Sequence, residues 1–227
     1  MKDYLEHYEG KIYALSPIYV GSGEKIKKNA YIYAPRNHRV VIPDIEKMYT
    51  ALRKKGLERE FTSYLMSSGD RGPSLAQWLG SHGISEKEWR EWKRYEMDAG
   101  EAFLQLGPRK KSSDIDGFCR DGYGMPYVPG SSIKGMLRTA LLASEIENNP
   151  EKYKRIALEL SEKSQERAKR IPDRACLMKE TQKLEQQAFY TLGREQRLNS
   201  AVNDHMAGLL VGDSEPIDLE QLTLSQR

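Results

Sequence analysis

One stretch near the middle of the chain combines a strand, a glycine turn and the start of a helix. The apolar run from Met125 to Val128 predicts a strand, and Pro129-Gly130 ends it. Ser131 or Ser132 then supplies a helix N-cap, because a serine oxygen can accept from an unpaired backbone N–H. The apolar residues that follow have the spacing of one buried helical face: Ile133, Leu137, Ala140 and Leu141.

The beginning of this helix is a candidate anion site. Open N–H groups and the positive end of the helix dipole favour a phosphate there, and Lys134 and Arg138, four residues apart, project from one polar face. Gly130 and Gly135 have the spacing of a nucleoside-triphosphate loop, but Met136-Leu137 stands where that motif requires Lys followed by Ser or Thr. We therefore expect no nucleotide cofactor. The alternative is that residues 129–135, called the glycine loop below, only turn the chain.

Composition restricts the class of protein without naming a partner. The 227 residues are 30% charged and 38% hydrophobic, which is typical of a globular protein with a charged surface. A net charge of +3 predicts no ligand by itself. Cys119 and Cys176 lack metal-ligand spacing and suggest no disulfide framework, so we expect a reducing, cytoplasmic location. Charges interrupt every apolar run, so no membrane span is predicted.

The elements before the glycine loop predict an α+β fold. Alternation over residues 12–20 predicts a strand, followed by a loop at Gly21-Ser22-Gly23. Residues 30–33 and 39–42 flank a turn and predict a hairpin, and Asp44 is placed to cap the next helix. Residues 57–100 predict a helical insert, in which the tryptophans are expected to pack rather than to stack on bases.

The motifs carry a family resemblance. The segment Pro-Gly-Ser-Ser-Ile-Lys-Gly-Met-Leu-Arg at 129–138 resembles the glycine-rich loop of the RAMP superfamily of CRISPR proteins. Residues 15–24 resemble the family's opening strand and turn. With residues 41–44 and 214–216, these motifs are most similar to the subunit that caps the end of the type III-A complex holding the guide RNA's 3′ end.

The resemblance implies a ferredoxin-like, RNA-recognition-like core. The first domain is then expected over residues 1–147, including the helical insert, and a charged helical segment over 148–200, with a break at Ile171-Pro172-Asp173. Residues 208–212 read as a strand, and residues 222–225 begin to alternate like another. Since the family continues into a second ferredoxin-like domain, we expect residues 201–227 to be the start of that domain, truncated.

The resemblance also implies the function. We expect a guide-RNA (crRNA) binding subunit that caps the 3′ end of a type III-A CRISPR ribonucleoprotein and is needed for 3′ maturation of the guide in antiviral defence. Its expected partners are the 3′ part of the guide and the backbone RAMP and small subunits of the Csm complex, with host ribonucleases as a further candidate and no membrane. The expected RNA-binding residues fall in three segments: Gly130, Ser131, Ser132, Lys134, Gly135 and Arg138; Arg109, Lys110 and Lys111; and Gly21, Ser22 and Lys25.

Two alternatives remain open. One is a metal-independent RNA endonuclease of the same superfamily that processes guide precursor, with His38 as the first candidate for general acid or base. The four histidines lack metal-ligand spacing, and the carboxylates Asp114, Asp116 and Asp121 lack a calcium-loop pattern, so we expect neither a metal nor a catalytic residue. Residues 22–25 also lack the aspartate with which the backbone RAMP subunit cuts target RNA. The other alternative is a protein-only interaction module.

Overall fold

The computed structural model describes residues 4–67, 72–103, 114–167, 177–197 and 200–225. The chain divides into two compact units: Met1–Tyr127 with Glu215–Arg227, and Val128–Ser214. The predicted domain boundaries after residues 147 and 200 both fall inside the second unit. Within the described ranges, the helices are all too short or too polar to cross a bilayer.

The first unit contains two small antiparallel sheets. Its strands are β1 (Gly21–Ile26), β2 (Ile32–Ala34), β3 (Arg39–Pro43), β4 (Lys93–Asp98) and β5 (Ile115–Phe118). β1 pairs with β5, and the other sheet has the order β2-β3-β4. The predicted hairpin is confirmed, with Tyr33 opposite Val40. Near the end of the chain, Thr223 bridges to Asp98 in parallel, so this segment reaches the sheet edge.

Four short helices accompany the sheets: α1 (Ile45–Lys54), α2 (Glu58–Ser67), α3 (Leu75–Ser81) and α4 (Glu86–Arg90). Their starts follow from side-chain caps. Oδ1 of Asp44 accepts from the N–H groups of Glu46 and Lys47, both at 3.1 Å. Ser74 and Ser85 each open a capping box. The expected insert over residues 57–100 is therefore helical only in part, because its last segment is strand β4.

The three-stranded sheet has a core cluster on each face. Successive side chains of a strand point to opposite faces, so Val40 joins one cluster while Val41 joins the other. The Val41 cluster contains residues of α1 to α4, including Trp78 of α3 and Trp89 of α4, and it also contains Trp92. These three tryptophans are no more than 8% exposed. The prediction that they pack is confirmed.

Three helices build most of the second unit: α5 (Gly130–Asn148), α6 (Pro150–Arg167) and α7 (Met178–Phe189). Lys163 pairs with Glu180, and Nζ of Lys183 lies 2.7 Å from Glu159, so two ion pairs join α6 to α7. The hydrogen bonds from these lysines lower the pKa of both glutamates. The predicted helix break at residues 171–173 lies outside the described residues.

The start of the chain differs from the prediction. Residues 4–20 contain no regular element, whereas Gly21-Ser22-Gly23, predicted as a loop, lies in β1. Pairing with β5 explains the difference, because Gly21 lies opposite Phe118 and the register shifts before Lys25. Gly23 has a φ of +81° within this irregular region, a backbone conformation that glycine adopts without cost. Tertiary pairing thus overrides the local preference for a turn.

Two further strand predictions are wrong in the described structure. Residues 125–128 make a single bridge, from Pro126 to Arg120. Residues 205–208 form a 3₁₀ turn, and 209–212 belong to no assigned strand. Apolar runs of this length do not by themselves distinguish a strand from extended chain that packs against a helix start.

Candidate nucleic-acid interface

The glycine loop leads straight into helix α5. Pro129 has extended backbone angles and is the N-cap, and its carbonyl accepts from the N–H groups of Ser132 at 2.9 Å and Ile133 at 3.2 Å. Ser131 and Ser132 therefore lie in the first turn rather than at the cap, which corrects the predicted capping role. The early helix start follows from the fixed φ of proline, which is compatible with entry into a helix.

An acidic side chain accepts a hydrogen bond from the first N–H group of helix α5. The N–H of Gly130 donates to Oδ1 of Asp213 at 2.7 Å. Beside it, the N–H of Val128 donates to Oγ of Ser214 at 2.9 Å, and the N–H of Ser214 donates to the carbonyl of Val128 at 3.0 Å. Residues 211–214 therefore line the start of α5. No local sequence pattern pointed to Asp213, since it is 83 residues from Gly130.

The close approach of this segment explains the glycine at position 130. A Cβ atom there would lie 2.1 Å from the carbonyl oxygen of Val211 and 2.6 Å from that of Gly212. Both obstacles are backbone atoms, so a side chain could be accommodated only if the chain moved apart. Gly135 is different, because a Cβ there would have no neighbour within 4 Å.

The part of the glycine loop from Ser131 to Lys134 retains groups that can bind an anion. The N–H of Ser131 has no hydrogen-bond partner in the described residues, and its side chain is exposed. Nζ of Lys134 donates to the carbonyl of Leu209 at 2.9 Å. Because that acceptor is neutral, the lysine keeps its net charge. The Ser131–Lys134 side of the loop is thus the part that remains suited to an anion.

Arg138 has a different setting from Lys134. Its guanidinium lies 2.7 Å from Asp204 and 3.3 Å from Glu185, and its side chain is only 20% exposed. The guanidinium carbon also lies 4.1 Å from the ring centre of Phe189, a cation–π contact. Two carboxylates already compensate this one charge. The contacts give Arg138 a role in joining α5 to α7 and to the segment around residue 204, which sequence spacing could not reveal.

The other predicted RNA-binding residues fall in two places. Gly21, Ser22 and Lys25 lie in β1 of the first unit, where Oγ of Ser22 donates to the carbonyl of Gly117 at 3.2 Å. Lys25 is opposite Asp116, with Nζ 3.8 Å from the carboxylate and both side chains at least half exposed. Arg109, Lys110 and Lys111 lie outside the described residues. Within the described ranges no group of acidic, His or Cys side chains is arranged to hold a metal ion.

His38 is held at both ring nitrogens. Nε2 lies 2.6 Å from the carbonyl oxygen of Gly100, and Nδ1 lies 3.2 Å from the hydroxyl of Tyr33. A carbonyl can only accept, so Nε2 donates to Gly100, while Nδ1 and the hydroxyl of Tyr33 share the second hydrogen bond. The residue has a φ of +52°, which is uncommon for a side chain other than glycine. These contacts fit a histidine that fixes the hairpin tip.

Comparison with known protein families identifies the family to which this chain belongs. The sequence profile described as RAMP superfamily matches residues 11–226, nearly the whole chain, so the chain belongs to the RAMP superfamily. A chain of a cryo-EM structure of a Csm–crRNA–target RNA ternary complex, from a type III-A CRISPR–Cas system, has a TM-score of 0.50 with 20% identity. That likeness covers 90% of this chain and 52% of the other, and it supports the mixed α and β fold.

Curated relatives share one name, "CRISPR system Cms protein Csm5". The protein from Streptococcus thermophilus is 29% identical over 144 residues, which is 63% of this chain and 40% of that protein. The protein from Mycobacterium tuberculosis is 25% identical over 244 aligned positions, which is 100% of this chain and 60% of that protein. The chain therefore spans about two fifths to three fifths of the length of these relatives.

The two glycines of helix α5 make a matched pair for a stability test. We expect Gly130→Ala to destabilise the protein by about 1–3 kcal/mol, the usual cost of forcing extra atoms into a packed site. Gly135→Ala should instead stabilise it by about 0.5–1 kcal/mol, because alanine favours a helix interior over glycine. Urea unfolding of both variants measures the difference. Equal effects of the same sign would show that residues 211–214 do not lie against Gly130.

Proposed function

We propose that this chain is a Csm subunit that binds the 3′ part of a guide RNA and caps one end of a type III-A CRISPR ribonucleoprotein. The observation that carries the proposal is membership of the RAMP superfamily over residues 11–226, together with similarity to proteins named Csm5. In this proposal the bound subunit protects the guide during 3′ maturation and so serves antiviral defence. The neighbouring partners are the backbone RAMP subunit and the small subunit, with host ribonucleases recruited to trim the guide.

The glycine loop supplies the phosphate contact in this proposal. Four groups belong to one helical turn: the N–H of Ser131, which has no partner among the described residues, the hydroxyls of Ser131 and Ser132, and the charge of Lys134. Asp213 disfavours a phosphate at the N–H of Gly130 itself, because the two anions would repel each other. The contact is therefore assigned to the Ser131–Lys134 side. Backbone N–H groups and a lysine respond to phosphate rather than to base edges, so binding is independent of sequence.

The remaining predicted segments are assigned phosphate contacts of their own. Lys25 on β1 and the cations at residues 109–111 are proposed to add further phosphate contacts. Arg138 contributes less directly, because Asp204 and Glu185 offset its charge and its contacts hold α5 in place.

Replacing Lys134 by Ala should weaken the binding of several unrelated single-stranded RNAs to a similar degree. Each phosphate contact on a single strand contributes about −0.7 to the slope of log K against log salt. Losing one contact should therefore flatten that slope by about 0.7. Fluorescence anisotropy titrations at four or more salt concentrations give the slope.

Lys154→Ala is the matched control, since it removes the same charge from an exposed position on α6, where Lys154 pairs with Glu151. Its slope should equal that of the unaltered chain. A loss confined to one RNA sequence, or no change in slope with Lys134→Ala, would contradict a phosphate contact at the glycine loop.

We also propose that the chain binds guide RNA without cutting it. The support comes from His38, the first candidate for an endonuclease acid or base. Both of its ring nitrogens make hydrogen bonds within the protein, Nε2 with the carbonyl of Gly100 and Nδ1 with the hydroxyl of Tyr33. The setting is that of a structural histidine.

Incubation of labelled guide precursor with the chain should therefore leave the RNA intact. The variant His38→Ala should behave the same way, apart from lower stability caused by loss of the contact with Gly100. Denaturing gel electrophoresis detects cleavage, and a chain treated with heat serves as the control. Cleavage by the unaltered chain that His38→Ala abolishes would instead establish the endonuclease alternative.

A further inference from the structure

A tight turn in the first unit presents an exposed tyrosine. In the turn at residues 121–124, called the Tyr123 turn, the N–H of Gly124 donates to the carbonyl of Asp121 at 3.0 Å. Oδ1 of Asp121 also accepts from the N–H groups of Tyr123 at 2.9 Å and Met125 at 2.8 Å. Gly124 has a φ of +85°, which glycine tolerates. The backbone is thus fixed, while the side chain of Tyr123 is 92% exposed.

One arginine locks this turn from inside the unit. Nη1 of Arg120 donates to the carbonyl of Gly124 at 2.8 Å, and Nη2 donates to the hydroxyl of Tyr95 at 2.7 Å. Its guanidinium carbon lies 4.4 Å from the ring centre of Tyr95. Arg120 makes no ion pair with a carboxylate of the described residues, so its charge is not offset there. Arg120 therefore acts as a positioning residue for the turn, which also contains the carboxylate of Asp121.

A second arginine, Arg94, lies beside the turn. Arg94 is exposed, and in the described part of the chain it makes no hydrogen bond or ion pair. Its Nη2 is 2.7 Å from where a Cβ of Gly124 would be, so the guanidinium lies directly against the turn. Burial raises the pKa of Tyr95, and the charges of Arg120 and Arg94 both oppose that rise. The two cations therefore share one neighbourhood with the turn.

The combination suits a single-stranded nucleic acid. An exposed tyrosine ring has a face on which any base can stack, and its two side-chain torsions make ordering it inexpensive. The guanidinium of Arg94, which lies against Gly124 in the same turn, suits a phosphate of the same strand, because its fork of donors matches phosphate oxygens. The four backbone and side-chain hydrogen bonds of the turn hold the ring in place before binding.

We propose that Tyr123 stacks on a base of single-stranded RNA while Arg94 contacts an adjacent phosphate. This inference rests on the proposed function, that the chain binds guide RNA, and assigns it a second contact apart from the glycine loop. The recognised chemistry is a base face together with one phosphate, and it requires no particular sequence.

The test compares Tyr123→Ala, Tyr123→Phe and Arg94→Ala in titrations with a single-stranded oligouridylate. Tyr123→Ala should weaken binding on the order of tenfold with an unchanged salt slope, because stacking releases no counterion. Tyr123→Phe should bind as the unaltered chain does. Arg94→Ala should flatten the slope by about 0.7. Tyr8→Ala, which removes a ring that is 80% exposed elsewhere in the same unit, is the control and should have no effect.

A spectroscopic readout separates stacking from a change in folding. RNAs carrying one 2-aminopurine, moved position by position, should show a position whose fluorescence changes with the unaltered chain and with Tyr123→Phe but not with Tyr123→Ala. If Tyr123→Ala binds RNA normally while Lys134→Ala weakens it, the stacking contact is wrong and the proposed function stands. If the unaltered chain binds no RNA, both are wrong. If Tyr123→Ala weakens only a neighbouring subunit's binding, the turn is a protein contact and the inference is overturned.

Discussion

The start of helix α5 depends on a backbone-to-backbone approach that only glycine permits. Gly130 brings the first turn of the helix against residues 211–214, and its N–H is used by Asp213. A buried N–H without a partner is costly, so the carboxylate and the close packing stabilise the same arrangement. From this point Lys134 and Arg138 extend to Leu209 and Asp204, and the helix is fixed along two turns.

This constraint changes how the loop can bind an anion. A helix start with all its N–H groups open would take a phosphate at the first of them, but Asp213 holds that place. Among the described residues, the N–H without a partner is that of Ser131, and the charge without a carboxylate partner is that of Lys134 rather than that of Arg138. A phosphate held only by the N–H of Ser131 and the ammonium group of Lys134 is bound weakly. Guide binding therefore needs further contacts elsewhere on the chain, which the Tyr123 turn and the basic segments are proposed to supply.

Sequence reasoning succeeded where the structure is determined by neighbours along the chain. The hairpin of β2 and β3, the cap at Asp44 and the packing of the tryptophans all follow from local pattern and burial. Sequence reasoning failed where a segment distant in sequence determines the local structure. Pairing with β5 makes Gly21-Ser22-Gly23 part of a strand, and the ion pair with Asp204 determines the role of Arg138. The ferredoxin-like topology and the three-domain division stay predictions, as do the roles of the predicted RNA-binding residues.

The central claim is that this chain protects the 3′ end of a guide RNA. Its most direct test is end-mapping of the guides that copurify with the assembled complex carrying Lys134→Ala, with Lys154→Ala as control. The account predicts irregular or shortened 3′ ends with Lys134→Ala and unchanged 5′ ends, whereas the control matches the unaltered complex. Altered 5′ ends with normal 3′ ends would contradict the assignment to the 3′ end of the guide.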